Sequence, residues 1–220
     1  MTSEVPGPRS RAQLLRAERE ELIGFLEMLT EEEWATPSLC EGWTVRDVAA
    51  HLAVAPHVTP PHTLVGVLRA GFSLNAFVHD SAVRYARRGT EEILDALRRD
   101  ARTGAKPFGV PAPAPLVDAL VHGLDIRRPL GNDRPVPPDA FVDVADWAAG
   151  IRWPGTILVG GTPRHRTSGV TLVAEDADWR HGRGPEVHGS TTALILLLTG
   201  RTVTPEELSG PGLERLRPLL

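Results

Sequence analysis

Cysteine and lysine are among the residue types nearly missing from this chain of 220 residues: cysteine occurs once, as Cys40, and lysine once, as Lys106. A single cysteine rules out an intrachain disulfide and gives no sign of an oxidising compartment. With so little lysine, arginine carries the positive charge, a bias typical of a GC-rich genome. Long apolar runs are missing too. The longest, TTALILLL at 191–198, falls far short of the roughly 20 residues that span a bilayer. The N-terminal stretch MTSEVPGPRSRAQLL lacks the apolar centre of a signal peptide. A net charge of −4 gives no electrostatic reason for a nucleic-acid partner. There is no Gly-x-Ser-x-Gly, no Cys-x-x-Cys and no dinucleotide fingerprint, and RGPEVHGS lacks the glycine spacing and lysine of a phosphate loop. The expectation is a cytoplasmic protein, monomer or homodimer, that acts on small molecules and not on membranes or nucleic acid.

What is present is mostly helical periodicity. The first ten residues are polar and rich in Pro and Gly, a loose tail. From Arg11 to Leu29, leucines and isoleucine recur every three or four positions. Thr30 before three glutamates suits the start of a short second helix. Thr44 with Asp47 three residues on is a variant capping box for a helix that stops near Pro56. Residues 62–102 read as helix, broken near Gly89 and Thr90, and Leu116 to Arg128 as another, stopped by Pro129 and Gly131. NDRPVPP reads as a linker. Beyond it lie one more helix, DAFVDVADWAAGI, and a hairpin-like stretch from Gly169 to Gly189. A helix capped by Ser190 follows and ends at Gly200, and a short acidic helix and GLERLRPLL close the chain. The expected organisation is a tail over 1–10, a helical bundle over 11–132 and a smaller α+β unit over 138–220.

The polar residues of the Leu116–Arg128 helix are unusual in kind. Asp118, His122 and Asp125 fall at i, i+4 and i+7, in an arc about 60° wide. One reading is the solvent stripe of an amphipathic helix. Such stripes are usually wider and carry long charged side chains, whereas a narrow stripe of short polar groups suits a site inside a bundle. Asp118 and His122 project from one face, and His51 on the Thr44 helix could join them. Two imidazoles and one carboxylate form a common recipe for catalytic zinc with an open position, and also for non-haem iron. Asp125 could orient a ligand from behind. Taken alone, His51 reads equally as a satisfied core histidine. His57 and His62 read as loop residues, His79 has no partner at ligand spacing, and His165, His181 and His188 fall in C-terminal loops and the hairpin. Cys40 lacks a visible activating base and reads as a small buried apolar residue. Trp43 reads as packing that anchors the start of the helix.

Three stretches together resemble the mycothiol-dependent maleylpyruvate isomerase family. SLCEGWTVRDVAAHL carries the Cys, Gly-Trp-Thr, Asp and His-Leu of one motif, and VDALVHGLDIRRPLG carries a His, an Asp three residues on and a closing Gly. DWRHGRGPEVHGSTTALILLLTGR is similar to the family's C-terminal domain in its Trp, Gly-Pro, helix and Gly-Arg ending. The resemblance implies a mainly α fold, a DinB-like four-helix bundle followed by a smaller α+β C-terminal domain. It implies a divalent metal, zinc by expectation, held by His51, Asp118 and His122, with Asp118 standing where the characterised isomerase has Glu. It further implies mycothiol or a related low-molecular-weight thiol as cofactor and a small electrophilic substrate, handled by isomerisation or S-transfer. Arg201, in TGR, is the match for the family's C-terminal arginine, which implies a role in holding an anionic substrate or the cofactor. A non-catalytic metal-binding or regulatory protein on the same bundle is the alternative, as is a bundle that has lost its metal.

Overall fold

The computed structural model describes residue 7, residues 9–151 and residues 167–219. His165 lies outside the described residues, as does most of the expected tail. Two tail residues are engaged: Arg9 pairs with Asp139, and Ser10 closes a capping box with Gln13 at the head of the first helix.

Eight helices come first: α1 (Arg11–Leu26), α2 (Glu31–Trp34), α3 (Val45–Val54), α4 (Pro60–Arg69), α5 (Leu74–Ala86), α6 (Thr90–Thr103), α7 (Ala114–Arg127) and α8 (Pro138–Gly150). Strands β1 (Thr171–Ala174), β2 (Arg180–Gly182) and β3 (Glu186–Gly189) follow, then α9 (Thr191–Leu198), β4 (Leu208–Ser209) and α10 (Leu213–Leu216). Single 3-10 turns continue α3 at Ala55–His57 and α7 at Arg128–Leu130, where a proline in each removes the amide that another α turn would need. The mainly α fold with one small sheet agrees with the sequence pattern.

Capping sets several of these starts. Thr30 and Thr44 each accept a hydrogen bond from the backbone N–H three residues on, while Glu33 and Asp47 reach back to the cap amide. Ser190 caps α9 in the simpler form. The long helical pattern at 62–102 breaks twice and not once. Besides Gly89, the chain turns at Gly71 (φ 65°) and Phe72 (φ 64°). No proline announces that turn, and a phenylalanine in the left-handed region is uncommon, so the sequence gives little warning of it.

The sheet has the order β2-β1-β3-β4. The expected hairpin forms, with Leu172 opposite His181 on antiparallel β2, and β3 then lies parallel to β1 on its other edge. To get there the chain folds tightly over the start of β1. A Cβ at Gly184 (φ +134°) would stand 2.1 Å from the Gly169 carbonyl oxygen, so only glycine fits. β4 closes the far edge, antiparallel to β3.

Apolar side chains form two clusters. One holds Leu22 and Leu26 of α1, Val45, Val48 and Ala49 of α3, Ile93 and Leu97 of α6, and Ile126 of α7. The other joins Leu14 and Leu15 of α1 and Leu116, Leu120 and Leu124 of α7 to α8, the sheet and α9. α9 is apolar on every side and is accordingly buried in the middle of that second cluster. α7 serves both clusters, so its Ala119, Gly123 and Ile126 side is buried as well as its Leu side. Burying each of its leucines is worth about 1.5–3 kcal/mol relative to exposure, and the helix is held rigidly as a result. The polar stripe on α7 therefore faces protein at His122 and Asp125, and only Asp118 is partly open to solvent.

Candidate metal centre between α3 and α7

α3 packs against α7 and α5, and its capping box fixes where the helix starts and so which residue meets α7 two turns later. That residue is His51. Its Nε2 lies 3.7 Å from Asp118 Oδ1, and His122 Nε2 lies 3.4 Å from the same oxygen. The two imidazoles meet edge to face with centroids 4.9 Å apart. His51, Asp118 and His122 thus offer three ligand atoms within 4.8 Å of one another.

The spacing is informative. Hydrogen bonds between nitrogen and oxygen run at about 2.7–3.2 Å, and both contacts to Asp118 exceed that. Ligands about 2.0–2.2 Å from a tetrahedral cation stand about 3.4 Å apart. The set therefore fits a divalent cation: two imidazoles and one carboxylate, separated as co-ligands and not as a hydrogen-bonded pair. Asp118 is shorter than glutamate by one methylene, yet from the start of the second turn of α7 its Oδ1 comes within 3.7 Å of Nε2 on both rings. The His51 and His122 side chains are only 14% and 13% exposed, while that of Asp118 is 35% exposed, so the centre is open on the Asp118 side. A cleft there, with a cavity of about 30 Å³, is lined by Arg19, Leu52, Asp100 and Asp118 among others. It has room for about one water.

A second acid–histidine–sulfur group shares His122. Asp125 Oδ2 is 2.9 Å from His122 Nδ1, and Cys40 Sγ donates to the same Oδ2 at 3.1 Å and lies 3.7 Å from His122 Nδ1. Cys40, His122 and Asp125 also offer ligand atoms within 4.8 Å. Here, however, the distances to Asp125 are those of hydrogen bonds, shorter than the edge of a site with sulfur and oxygen ligands, about 3.6 Å. Arg201 occupies the remaining side of Asp125, with Nη2 2.8 Å from Oδ2 and Nε 3.3 Å from Oδ1, while its Nη1 donates to Thr199 O at 2.9 Å. This second group is knit together as a support for the first. Asp125 accepts from His122 Nδ1–H, which leaves the His122 Nε2 lone pair directed at Asp118 and His51.

Local backbone explains how Cys40 reaches so deep. The segment between α2 and α3 is a tight turn, with Ser38 N–H donating to Trp43 O at 2.8 Å, Val45 N–H to Thr36 O at 2.9 Å and Gly42 at φ +76°. Leu39 N–H donates to Asp125 O at 3.1 Å and pins the turn to α7. Cys40 is consequently half-buried: it packs against the apolar cluster around α3, in line with the sequence reading, and its Sγ also meets polar partners that the sequence does not announce. Trp43 packs on the α3 cluster as expected, and its ring also lies 5.4 Å from that of His51 and 6.0 Å from that of His79. His57 ends the 3-10 turn and contacts the buried Asp100 at 2.9 Å. His62 falls on the first turn of α4 rather than in a loop.

Electrostatics follow from this packing. Burial opposes ionisation of Asp118, but the neighbouring His122 and His51 outweigh it and hold its carboxyl well below the usual carboxylate range. Burial also opposes a charged His122, and Asp118, with Asp125 and Cys40, reverses the balance and raises its pKa well above the ordinary imidazole value. Asp125 is held low against its own burial by His122 and Arg201. Without a cation, a proton on His122 thus supplies the positive charge between the two carboxylates.

Residues 15–106 match the family model described as the mycothiol maleylpyruvate isomerase N-terminal domain. That span includes Cys40, Trp43 and His51; Asp118, His122 and Arg201 lie beyond it. The whole fold is similar to a crystal structure of the mycothiol-dependent maleylpyruvate isomerase, with a TM-score of 0.59, 17% identity and 96% of each chain covered. At that identity the likeness is one of fold. A mutant form of the mycothiol-dependent maleylpyruvate isomerase aligns with a TM-score of 0.46 at 17% identity, also over 96% of each chain. No curated protein matches the chain.

Proposed function

We propose that this chain, whose residues 15–106 match the family model of the mycothiol maleylpyruvate isomerase N-terminal domain, is a metal-dependent enzyme of that family that uses a small thiol. His51, Asp118 and His122 would hold the cation, zinc in this reading, and mycothiol or a related thiol would be the cofactor. A bound divalent cation lowers the pKa of a coordinated thiol and fixes its position, which matters because a free thiol is only a few per cent thiolate at neutral pH. When bound, the thiol would supply a nucleophile for an electrophilic carbon of the small substrate. Its loss again after bond rotation would give isomerisation, whereas protonation of the adduct, or departure of a leaving group with sulfur retained, would give S-transfer. The bundle over 11–132 supplies the ligands in this proposal, and the unit over 138–220 supplies Arg201.

The observation that carries the reading is the ligand-like spacing of three side chains from two rigid helices. The chain's own residues do the positioning. Asp125 sets the tautomer and direction of His122, and Arg201 holds Asp125 from the C-terminal side. Arg201 is therefore a positioning residue in this proposal, acting through Asp125. Trp43 braces the His51 ring, and the 35% exposed Asp118 side chain marks the side from which thiol and substrate arrive.

Metal analysis of the purified protein tests the first step. Near-stoichiometric metal in the wild type, lost in both His51→Ala and His122→Ala, is the expected result, and metal that persists in both variants overturns the assignment. Titration of the cobalt-substituted protein with mycothiol tests the second. A new thiolate-to-metal band supports the enzyme, whereas an unchanged spectrum at saturating thiol leaves a metal-binding protein without this chemistry.

A further inference from the structure

Helices α4 and α5 face each other across a space they do not fill. On α4 the facing stripe is His62, Val65, Gly66 and Arg69, spaced i, i+3, i+4, i+7; on α5 it is Phe77, Ser81, Arg84 and Tyr85, with Arg88 just past the helix end. The helices touch where Gly66 lies against the Phe77 ring, so closely that a Cβ at Gly66 would stand 2.1 Å from that ring. Elsewhere they enclose a groove of about 450 Å³, closed at one end by Val54, His57 and Val58 from the end of α3. Packed helices normally interdigitate their side chains. A cavity of this size is within the range that holds small organic ligands.

The groove has an apolar body and a cationic edge. Val54, Val58, Val65, Phe77 and Tyr85 supply the body. Three arginines converge on it, and Asp80 is the one acid in its lining, itself 3.3 Å from His79. Arg88 is engaged with Glu92 and lies over the Tyr85 ring, 4.9 Å from its centroid. Arg84 has a single long contact, 3.4 Å to Ser81 Oγ, and Arg69 has no hydrogen-bond or ion-pair partner among the described residues. Among the described residues Arg69 and Arg84 thus have no carboxylate paired with them, and the planar forks of guanidinium groups match carboxylate, sulfonate or phosphate oxygens. We infer that the groove between α4 and α5 is a binding site for a small organic anion with an apolar body, its charged end held by Arg69 and Arg84 and its body lying along Val65, Phe77 and Tyr85. The inference is independent of the metal centre, none of whose ligands lines the groove.

Fluorescence titration of the metal-loaded protein with 8-anilinonaphthalene-1-sulfonate, an aromatic anion, tests it. Saturable binding at one site is expected, weakening with added salt. Arg69→Ala and Arg84→Ala should each weaken it about tenfold, and Val65→Trp, which fills the groove from a surface position, should abolish it. His122→Ala and removal of metal should leave it unchanged, as should Leu68→Ser, which alters the exposed outer face of α4. Three results would overturn the inference: no saturable binding, binding indifferent to the two arginines and to Val65→Trp, or binding lost in His122→Ala or Leu68→Ser.

Discussion

The two polar clusters that flank α3 are built on opposite plans. Between α3 and α7 each side chain is held by another: His122 by Asp125, Asp125 by Arg201, Cys40 by Asp125. Their helix, α7, is buried along most of its length. Across the α4–α5 groove the arginines are exposed, one has no partner among the described residues, and α4 has no buried residue at all. Chemistry at a cation needs lone pairs pointed within narrow limits, and that needs a second layer of support. Holding an anion by charge and an apolar body needs much less. Substitutions at the first cluster should therefore cost both chemistry and folding, and those at the second should cost binding alone.

The largest effect is expected at the ligands themselves. In the proposed centre His122→Ala removes a ligand and leaves Asp125 with Arg201 and Cys40 alone, so metal content should fall below a tenth of wild type and thiol-dependent turnover by at least about 100-fold. Arg69→Ala in the groove should leave metal content unchanged, as read by elemental analysis. Next comes the support. Asp125→Asn keeps the shape but weakens the acceptor behind His122, and should lower metal affinity about 10–100-fold, measured by chelator competition. Arg201→Met deprives the fully buried Asp125 carboxylate of one of its two cationic partners, His122 being the other, and should cost about 3 kcal/mol in urea unfolding of the metal-free protein. If Arg201 serves only to hold substrate, stability is unchanged and KM rises alone.

How much of this the sequence shows depends on range. Capped helices such as α2, α3 and α9 are legible because cap and helix are neighbours in the chain. The narrow stripe on α7 is legible from spacing, and His51 from its motif. Cys40 is not, because its partners Asp125 and His122 lie some 80 residues away in the chain and it reaches them only through the turn that Leu39 pins to α7. The place of Arg201 against Asp125 is hidden for the same reason. The stripes of α4 and α5 each follow helical spacing, yet only the extra turn at Gly71 and Phe72 makes them face each other.

A smaller effect follows from the proton on His122. In the metal-free protein the raised pKa means that the charged imidazole stabilises the fold. That contribution is complete below the ordinary imidazole value of the unfolded chain and is lost as pH rises through the folded value. Metal must displace the same proton. Apparent metal affinity should therefore climb with pH across that window, with close to one proton released per metal. Calorimetry in buffers of different ionisation enthalpy reads this number, and release of none would mean that His122 is already neutral.

The smallest effect separates the two regions most finely. Thr44 caps α3 through a capping box with Asp47, and Ser73 caps α5 by its side chain alone. Removing an N-cap costs about 1 kcal/mol. α3 is embedded in the bundle core, so Thr44→Ala should be felt by the whole fold as a drop in Tm of about 2–4 °C, with metal content intact because α3–α7 packing still seats His51. Ser73 lies at the turn beside α4, whose opening exposes almost nothing buried. Ser73→Ala should therefore leave Tm nearly unchanged and instead speed hydrogen exchange in α4 and the first turn of α5. Equal Tm shifts in the two variants would show that α4 and α5 unfold together with the core, and that the contrast between a rigid centre and a loosely held groove is wrong.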